Sequence, residues 1–366
     1  MTTPIVQTAA YTFQSTEELF EYLDGRRQSY KYGRDGNPTV RVLEDKIKEI
    51  EGAEDCLMCS SGMNAVSTMV MSLVPSGGHV VMTADCSTEM RRFAETILAN
   101  MSIGISIIDP LDMDGLSHIL ETQDVDMILS ESPTRTAHHR CIDIAAVRAL
   151  CDSASPRTLL AIDSTCATPI NQKAIALGAD LVIHSATGYL CGHHDVLAGA
   201  LTGRAELVDV VRRLRHVLGG TLDAHAAYLV IRGMKTLDVR VGRQNATALE
   251  IARRLLDHPK VSRVHYPGLE CHPDHAIAKS QMHGFGGVLS FEVDAQKTRA
   301  VVDALKVPYI AASCDGIPLG GVESLVLQPS LVNPSMPDTL IQYSCGIEPL
   351  EDIWSDLSQS LSSKAT

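Results

Sequence analysis

Three short stretches carry residues of the types and spacing that hold an anion at one end and a cation at the other. Ser61-Gly62-Met63 stands between an apolar strand and a helix start. A glycine there lets backbone N–H groups approach an oxyanion, and the helix N-terminus favours negative charge; the same residues also make an ordinary helix cap. Ser185 and Thr187 offer two hydroxyls on one side of an extended segment, suited to phosphate oxygens or to a strand-end turn. Asp163 ends the apolar run Leu159-Leu160-Ala161-Ile162, and a carboxylate at the end of a buried strand needs a cationic partner, from a ligand or from a side chain. Candidates for reactive groups are Arg135 as a positive charge, and His194 or Cys191 as acid–base group or nucleophile. His193 and the His138/His139 pair have no metal-ligand spacing and read as satisfied or solvated rings. Cys56 and Cys59 form a CxxC without a second pair, so no metal is expected, and the ten cysteines read as reduced, mostly buried thiols.

The elements that must position these residues alternate along the chain. Apolar β-type runs at 79–84, 105–108, 126–129, 159–162, 181–184 and 196–201 are separated by helical patterns such as 64–73, 144–151 and 206–217. That rhythm predicts a mostly parallel sheet with helices on both faces, whose ligands gather at the carboxyl ends of the strands. After about residue 225 a helical run over 226–256 leads to shorter strands at 287–293 and 340–344, a second, α+β domain. The expected divisions are an N-terminal arm at 1–44, a large domain at 45–225 and a C-terminal domain at 226–366. A formal net charge of -13 argues against nucleic acid or an anionic membrane as partner. No stretch is apolar for long enough to span a bilayer, and no signal pattern opens the chain. The expected location is the cytoplasm, or a plastid if a transit segment was removed.

Nearly the whole chain resembles the cystathionine γ-synthase group of the Cys/Met metabolism enzymes that depend on pyridoxal phosphate (PLP). The resemblance rests on Pro4-Ile5-Val6-Gln7-Thr8, Tyr32-Gly33-Arg34-Asp35-Gly36-Asn37-Pro38-Thr39, Ser61-Gly62-Met63, Glu131-Ser132-Pro133-Thr134, Ile162-Asp163-Ser164-Thr165, His184-Ser185-Ala186-Thr187-Gly188-Tyr189 and Arg232-Gly233-Met234-Lys235-Thr236-Leu237. It implies an α/β chain of PLP fold type I, aspartate aminotransferase-like, with a mostly parallel large domain and a smaller α+β C-terminal domain. It also implies a homotetramer of tight dimers in which Tyr32 and Arg34 of one subunit reach the phosphate in the neighbouring site. Gly62, Met63, Ser185 and Thr187 are then the phosphate cradle, Asp163 the partner of the ring nitrogen, and Ser324 a neighbour of the substrate carboxylate. Four positions depart from the family pattern. Gly188 stands at the Schiff-base lysine, Ser87 at the tyrosine that stacks on the ring, Arg135 at the asparagine on the ring hydroxyl, and Gln342 at the arginine that grips the substrate carboxylate. The loop 314–319 is longer and the stretch after Pro329 shorter, which reshapes the substrate mouth. Lys31, next to Tyr32, and Lys173 are the lysines weighed as substitutes, and neither matches the missing amine.

The expectation is a divergent homologue that keeps a phosphate site for a small-molecule substrate, with cofactor held non-covalently or not at all, and runs PLP-independent chemistry. Two alternatives stand beside it. One is an inactive paralogue regulating an active relative in mixed oligomers. The other is an engineered or weak γ-synthase or γ-lyase acting on O-acylhomoserine and cysteine.

Overall fold

Continuous apolar runs give the central strands two hydrophobic faces, and both are covered. In the computed structural model, which describes residues 2–155, 157–313 and 316–362, seven strands form the large sheet. They are β1 (Asp55–Cys59), β2 (His79–Thr83), β3 (Gly104–Ile108), β4 (Met127–Glu131), β5 (Leu159–Asp163), β6 (Leu181–Ser185) and β7 (Gly199–Gly203). Val81, Ile128, Leu160, Ile162 and Val182 pack on one face against Leu116, Leu120, Val147 and Cys151 of the helices Met113–Thr122 and Ile144–Ala154. Val80, Met127, Leu129, Ala161 and Ile183 pack on the other against Ala65, Val66 and Met69 of the helix Gly62–Leu73.

The strand order is β1-β7-β6-β5-β4-β2-β3, parallel except for β7, which runs antiparallel to both β1 and β6. The sequence pattern places this strand at 196–201; it forms at Gly199–Gly203 instead. Gly199 explains the shift, because a Cβ there would lie 2.1 Å from the Ser61 carbonyl oxygen. Only a residue without a side chain lets β7 slot in beside the start of the helix Gly62–Leu73.

The C-terminal sheet joins β8 (Arg263–His265), β9 (Val288–Glu292), β10 (Tyr309–Ile310), β11 (Leu325–Leu327) and β12 (Leu340–Ser344) in the order β10-β11-β12-β9-β8. Leu289, Phe291, Val326, Ile341 and Tyr343 bury its inner face against the helices Leu237–Leu256 and Leu350–Ser362. The single helix expected over 226–256 is two, Ala224–Met234 and Leu237–Leu256. The first ends because its last carbonyls find other donors: the Gly233 oxygen accepts from Thr236 Oγ1 at 3.1 Å and from Arg240 Nη2 at 3.0 Å. The N-terminal arm carries the helix Thr16–Leu23, which buries none of its residues. Cys314 and Asp315 of the reshaped loop lie outside the described residues.

Candidate functional site

The carboxyl ends of β1, β5 and β6 open on one cavity of about 330 Å³. Gly62, Met63, Ser87, Arg135, Asp163, Ser185 and Thr187 all line it, together with Glu89, Leu197 and Ser313. At one end the helix Gly62–Leu73 begins, with Ser61 Oγ accepting from Asn64 N at 3.1 Å. Thr187 Oγ1 is tied to Ala198, accepting from its N–H at 3.0 Å and donating to its carbonyl at 3.3 Å. Ser185 N–H donates to Thr165 Oγ1 at 2.8 Å, which fixes the strand end that carries the Ser185 hydroxyl. The start of that helix and the Ser185 hydroxyl are the groups at this end that could receive an oxyanion.

The other end of the cavity is already charged and paired. Asp163 Oδ1 accepts from Thr165 N at 2.9 Å and from the Thr165 hydroxyl, while Oδ2 faces Arg135 Nη2 at 3.5 Å. Arg135 Nε donates to Glu131 Oε1 at 2.7 Å, and Glu131 is fully buried. Burial works against the guanidinium charge, but Glu131 and Asp163 more than offset it and hold Arg135 firmly protonated. The Arg135 guanidinium thus lies on Asp163, the residue that the resemblance implies as partner of a cofactor's ring nitrogen.

Gln342, at the family's arginine position, is buried and clamps chain rather than ligand. Its Oε1 accepts from Ile317 N at 3.1 Å, and its Nε2 donates to the Arg135 carbonyl at 2.9 Å. The residues that follow Ile317 fold over position 188. A Cβ on Gly188 would lie 2.9 Å from Leu319 Cδ1, which would have to shift, and a tight 3.1 Å from the Leu319 carbonyl oxygen. No lysine is among the lining residues. Lys31 pairs with Asp35 at 3.4 Å, and Lys173 donates to the Ile50 carbonyl.

Several expected site residues stand elsewhere. The Cys191 thiol is buried and donates to Asp195 Oδ1; burial and that carboxylate push its pKa up to about 12, too high for a ready nucleophile. His194 is exposed, and its ring packs on Gly321 rather than on the cavity. Ser324 is held by Glu348 Oε2 at 2.9 Å and by Gly346 N–H at 2.9 Å. Tyr32 and Arg34, whose guanidinium lies 5.5 Å from the Tyr32 ring centre, line a different cavity. Ser87 does line the site, where its hydroxyl caps the helix Thr88–Phe93 through Met90 N at 3.2 Å. Glu131 and Thr165 were not singled out from the sequence. Their signal was position, since each belongs to a stretch ending a buried strand. Among the described residues no group of three or more His, Cys, Asp or Glu could hold a metal ion, and no helix is long and apolar enough to cross a membrane.

Comparison with known proteins gives one consistent result. Residues 1–362 match the family described as Cys/Met metabolism PLP-dependent enzyme. The chloroplastic cystathionine gamma-synthase 1 of Nicotiana tabacum is 50% identical over 99% of this chain and 68% of its own. The probable cystathionine gamma-synthase 2 of Arabidopsis thaliana is 47% identical over 99% and 89%. Among solved structures, the cystathionine gamma synthase of Xanthomonas oryzae pv. oryzae, in complex with aminoacrylate and cysteine, superposes with a TM-score of 0.91 at 32% identity, covering 99% of this chain and 92% of that one.

Proposed function

The chain belongs to the Cys/Met metabolism PLP-dependent enzyme family, and from that premise we propose that it is a divergent cystathionine γ-synthase-like protein acting without a lysine-bound cofactor. The family's cofactor supplies an electron sink when bound. The residues present suit its phosphate and not its reactive end. Gly62, Met63, Ser185 and Thr187 converge on one end of the cavity, whereas no lysine lines it. The observation that carries the reading is the Arg135 guanidinium set between Glu131 and Asp163: the carboxylate a pyridinium would need is already matched.

In this reading Arg135 is occupied in balancing Glu131 and Asp163, and the ligand is a small phosphorylated or amino-acid-like molecule held non-covalently at the other end of the cavity. With Gln342 spent on Ile317 and Arg135, an α-carboxylate meets no bidentate arginine clamp from that position. Assembly as a homotetramer of tight dimers belongs to the same proposal, supported by an arm helix that leaves Phe20 and Leu23 62% and 63% exposed. The cytoplasm is the proposed compartment, with a plastid as the second, since the tobacco relative carries the word chloroplastic in its name.

The test is titration of the purified protein with pyridoxal phosphate, followed by borohydride reduction and peptide mapping. Saturable binding with no reduced lysine adduct is expected. A lysine adduct mapped to the cavity overturns the reading.

A further inference from the structure

A second cavity, of about 240 Å³, lies between the segment 30–37 and the helices Pro38–Glu51 and Ala205–Leu218. Arg41, Arg212 and Arg215 line it, with Tyr30, Asp35 and Glu44. Two of the arginines are matched. Arg41 reaches Asp45 at 2.7 Å and Asp55 at 3.1 Å. Arg212 reaches the same Asp55 at 2.5 Å and Glu44 at 3.6 Å. The remaining acids are also committed, Glu44 to Met58 N–H at 3.0 Å and Asp35 to Lys31 at 3.4 Å.

Arg215 is left over. Its residue is 5% exposed, its Nε has no hydrogen-bond partner, and no ion pair reaches it among the described residues. Burial lowers its pKa although Cys59, Glu44 and Asp35 pull the other way, as expected of a guanidinium taken from water with no carboxylate in direct contact. A planar fork facing enclosed space fits two oxygens of one anion. We propose that this cavity is a binding site for a small oxyanion, of the phosphate or sulfate class, held by the Arg215 guanidinium. Such an anion would be clasped beneath the segment that continues into Tyr32 and Arg34, so its binding would also fasten the arm. Nothing in this inference depends on the chemistry proposed for the main cavity.

Crystals of the full chain soaked in selenate, measured at the selenium edge, locate the anion directly. Calorimetric titration with sulfate, for the natural protein and for Arg215→Gln and Arg215→Lys, measures it in solution. An anomalous peak beside Arg215 is expected. Arg215→Gln should abolish that peak and weaken this binding event at least about tenfold, Arg215→Lys should keep part of it, and any peak in the main cavity should persist. The proposal fails if saturating selenate leaves Arg215 without density, if the peak survives Arg215→Gln, or if binding in solution does not saturate. It also fails if an acidic side chain of a second copy of the chain sits on Arg215.

Discussion

Glu131 and Asp163 share one guanidinium, so Arg135 is the counter-charge for two buried carboxylates. Removing it should be costly even though the residue lies at a cavity wall. Arg135→Asn is expected to destabilise the fold by about 3 kcal/mol, in the range for breaking a buried pair from one side, measured by urea unfolding at pH 7. Arg135→Lys should recover part of that loss but not the two-sided geometry of the fork. At this scale the sequence was informative about place and less so about direction. Gly62, Asp163 and Ser185 each end or follow a buried strand, and that position alone brings them to one cavity. Cys191 and His194 sit only a few residues beyond Thr187, yet the turn that begins at Gly188 carries them away from it. Sequence proximity to a motif says nothing about which way a side chain faces. Gln342 was harder still, because its role consists of contacts to Ile317 and Arg135, 25 and 207 positions away.

The elements follow the apolar periodicity closely, and two of the places where they depart from it turn on a backbone carbonyl. One is β7, shifted toward glycine by the Ser61 carbonyl. The other is the break between Ala224–Met234 and Leu237–Leu256, in a run whose local helical pattern is unbroken. There the Arg240 side chain, 3% exposed, donates to the carbonyls of Tyr189 at 2.9 Å, Gly233 at 3.0 Å and Gly320 at 3.3 Å. It thereby ties the helix end to the turn after β6 and to the loop before β11. Arg240→Ala should strand two buried acceptors, the carbonyls of Tyr189 and Gly320, and cost roughly 2–4 kcal/mol, with loss of cooperativity visible as a reduced urea m-value. Hydrogen exchange should report the damage first in the peptides containing Tyr189 and Gly320. An effect confined to the helices themselves would argue against the cross-link.

At the scale of the molecule, the large and small sheets are joined through a knot of histidines. His139 Nε2 meets Ser290 Oγ of β9 at 3.0 Å, and His272 Nε2 meets the His138 carbonyl at 2.9 Å. Beside them Arg140 pairs with Asp274 at 2.7 Å. Burial, helped by the neighbouring rings of His272 and His265, pushes the pKa of His139 down from 6.5 to about 3. Burial also lowers His138, His265 and His272. A base whose folded value is depressed takes up its proton first in the unfolded chain. Stability is therefore full above about pH 6.5 and falls as the pH drops toward about 3. His139 alone should contribute a slope near 1.4 kcal/mol per pH unit, or about 2 kcal/mol lost by pH 5. Urea midpoints at pH 7 and pH 5 measure this, and His139→Asn, which tolerates the residue's positive φ of 49°, should flatten the difference. An unchanged pH dependence in that variant would remove His139 from the account. The composition foretold none of this, since histidines at 138, 139, 265 and 272 become one cluster only once the two sheets are packed.

The contact between Gly188 and Leu319 also bears on which sequences can be reached from this one. Any first side chain at 188 arrives in space that Leu319 already fills, so trimming the leucine and adding the chain are not interchangeable steps. One order passes through a roomy, tolerant intermediate and the other through a crowded one. A mutational path toward a lysine at this position is thus best sampled by a library that varies residues 188 and 319 together.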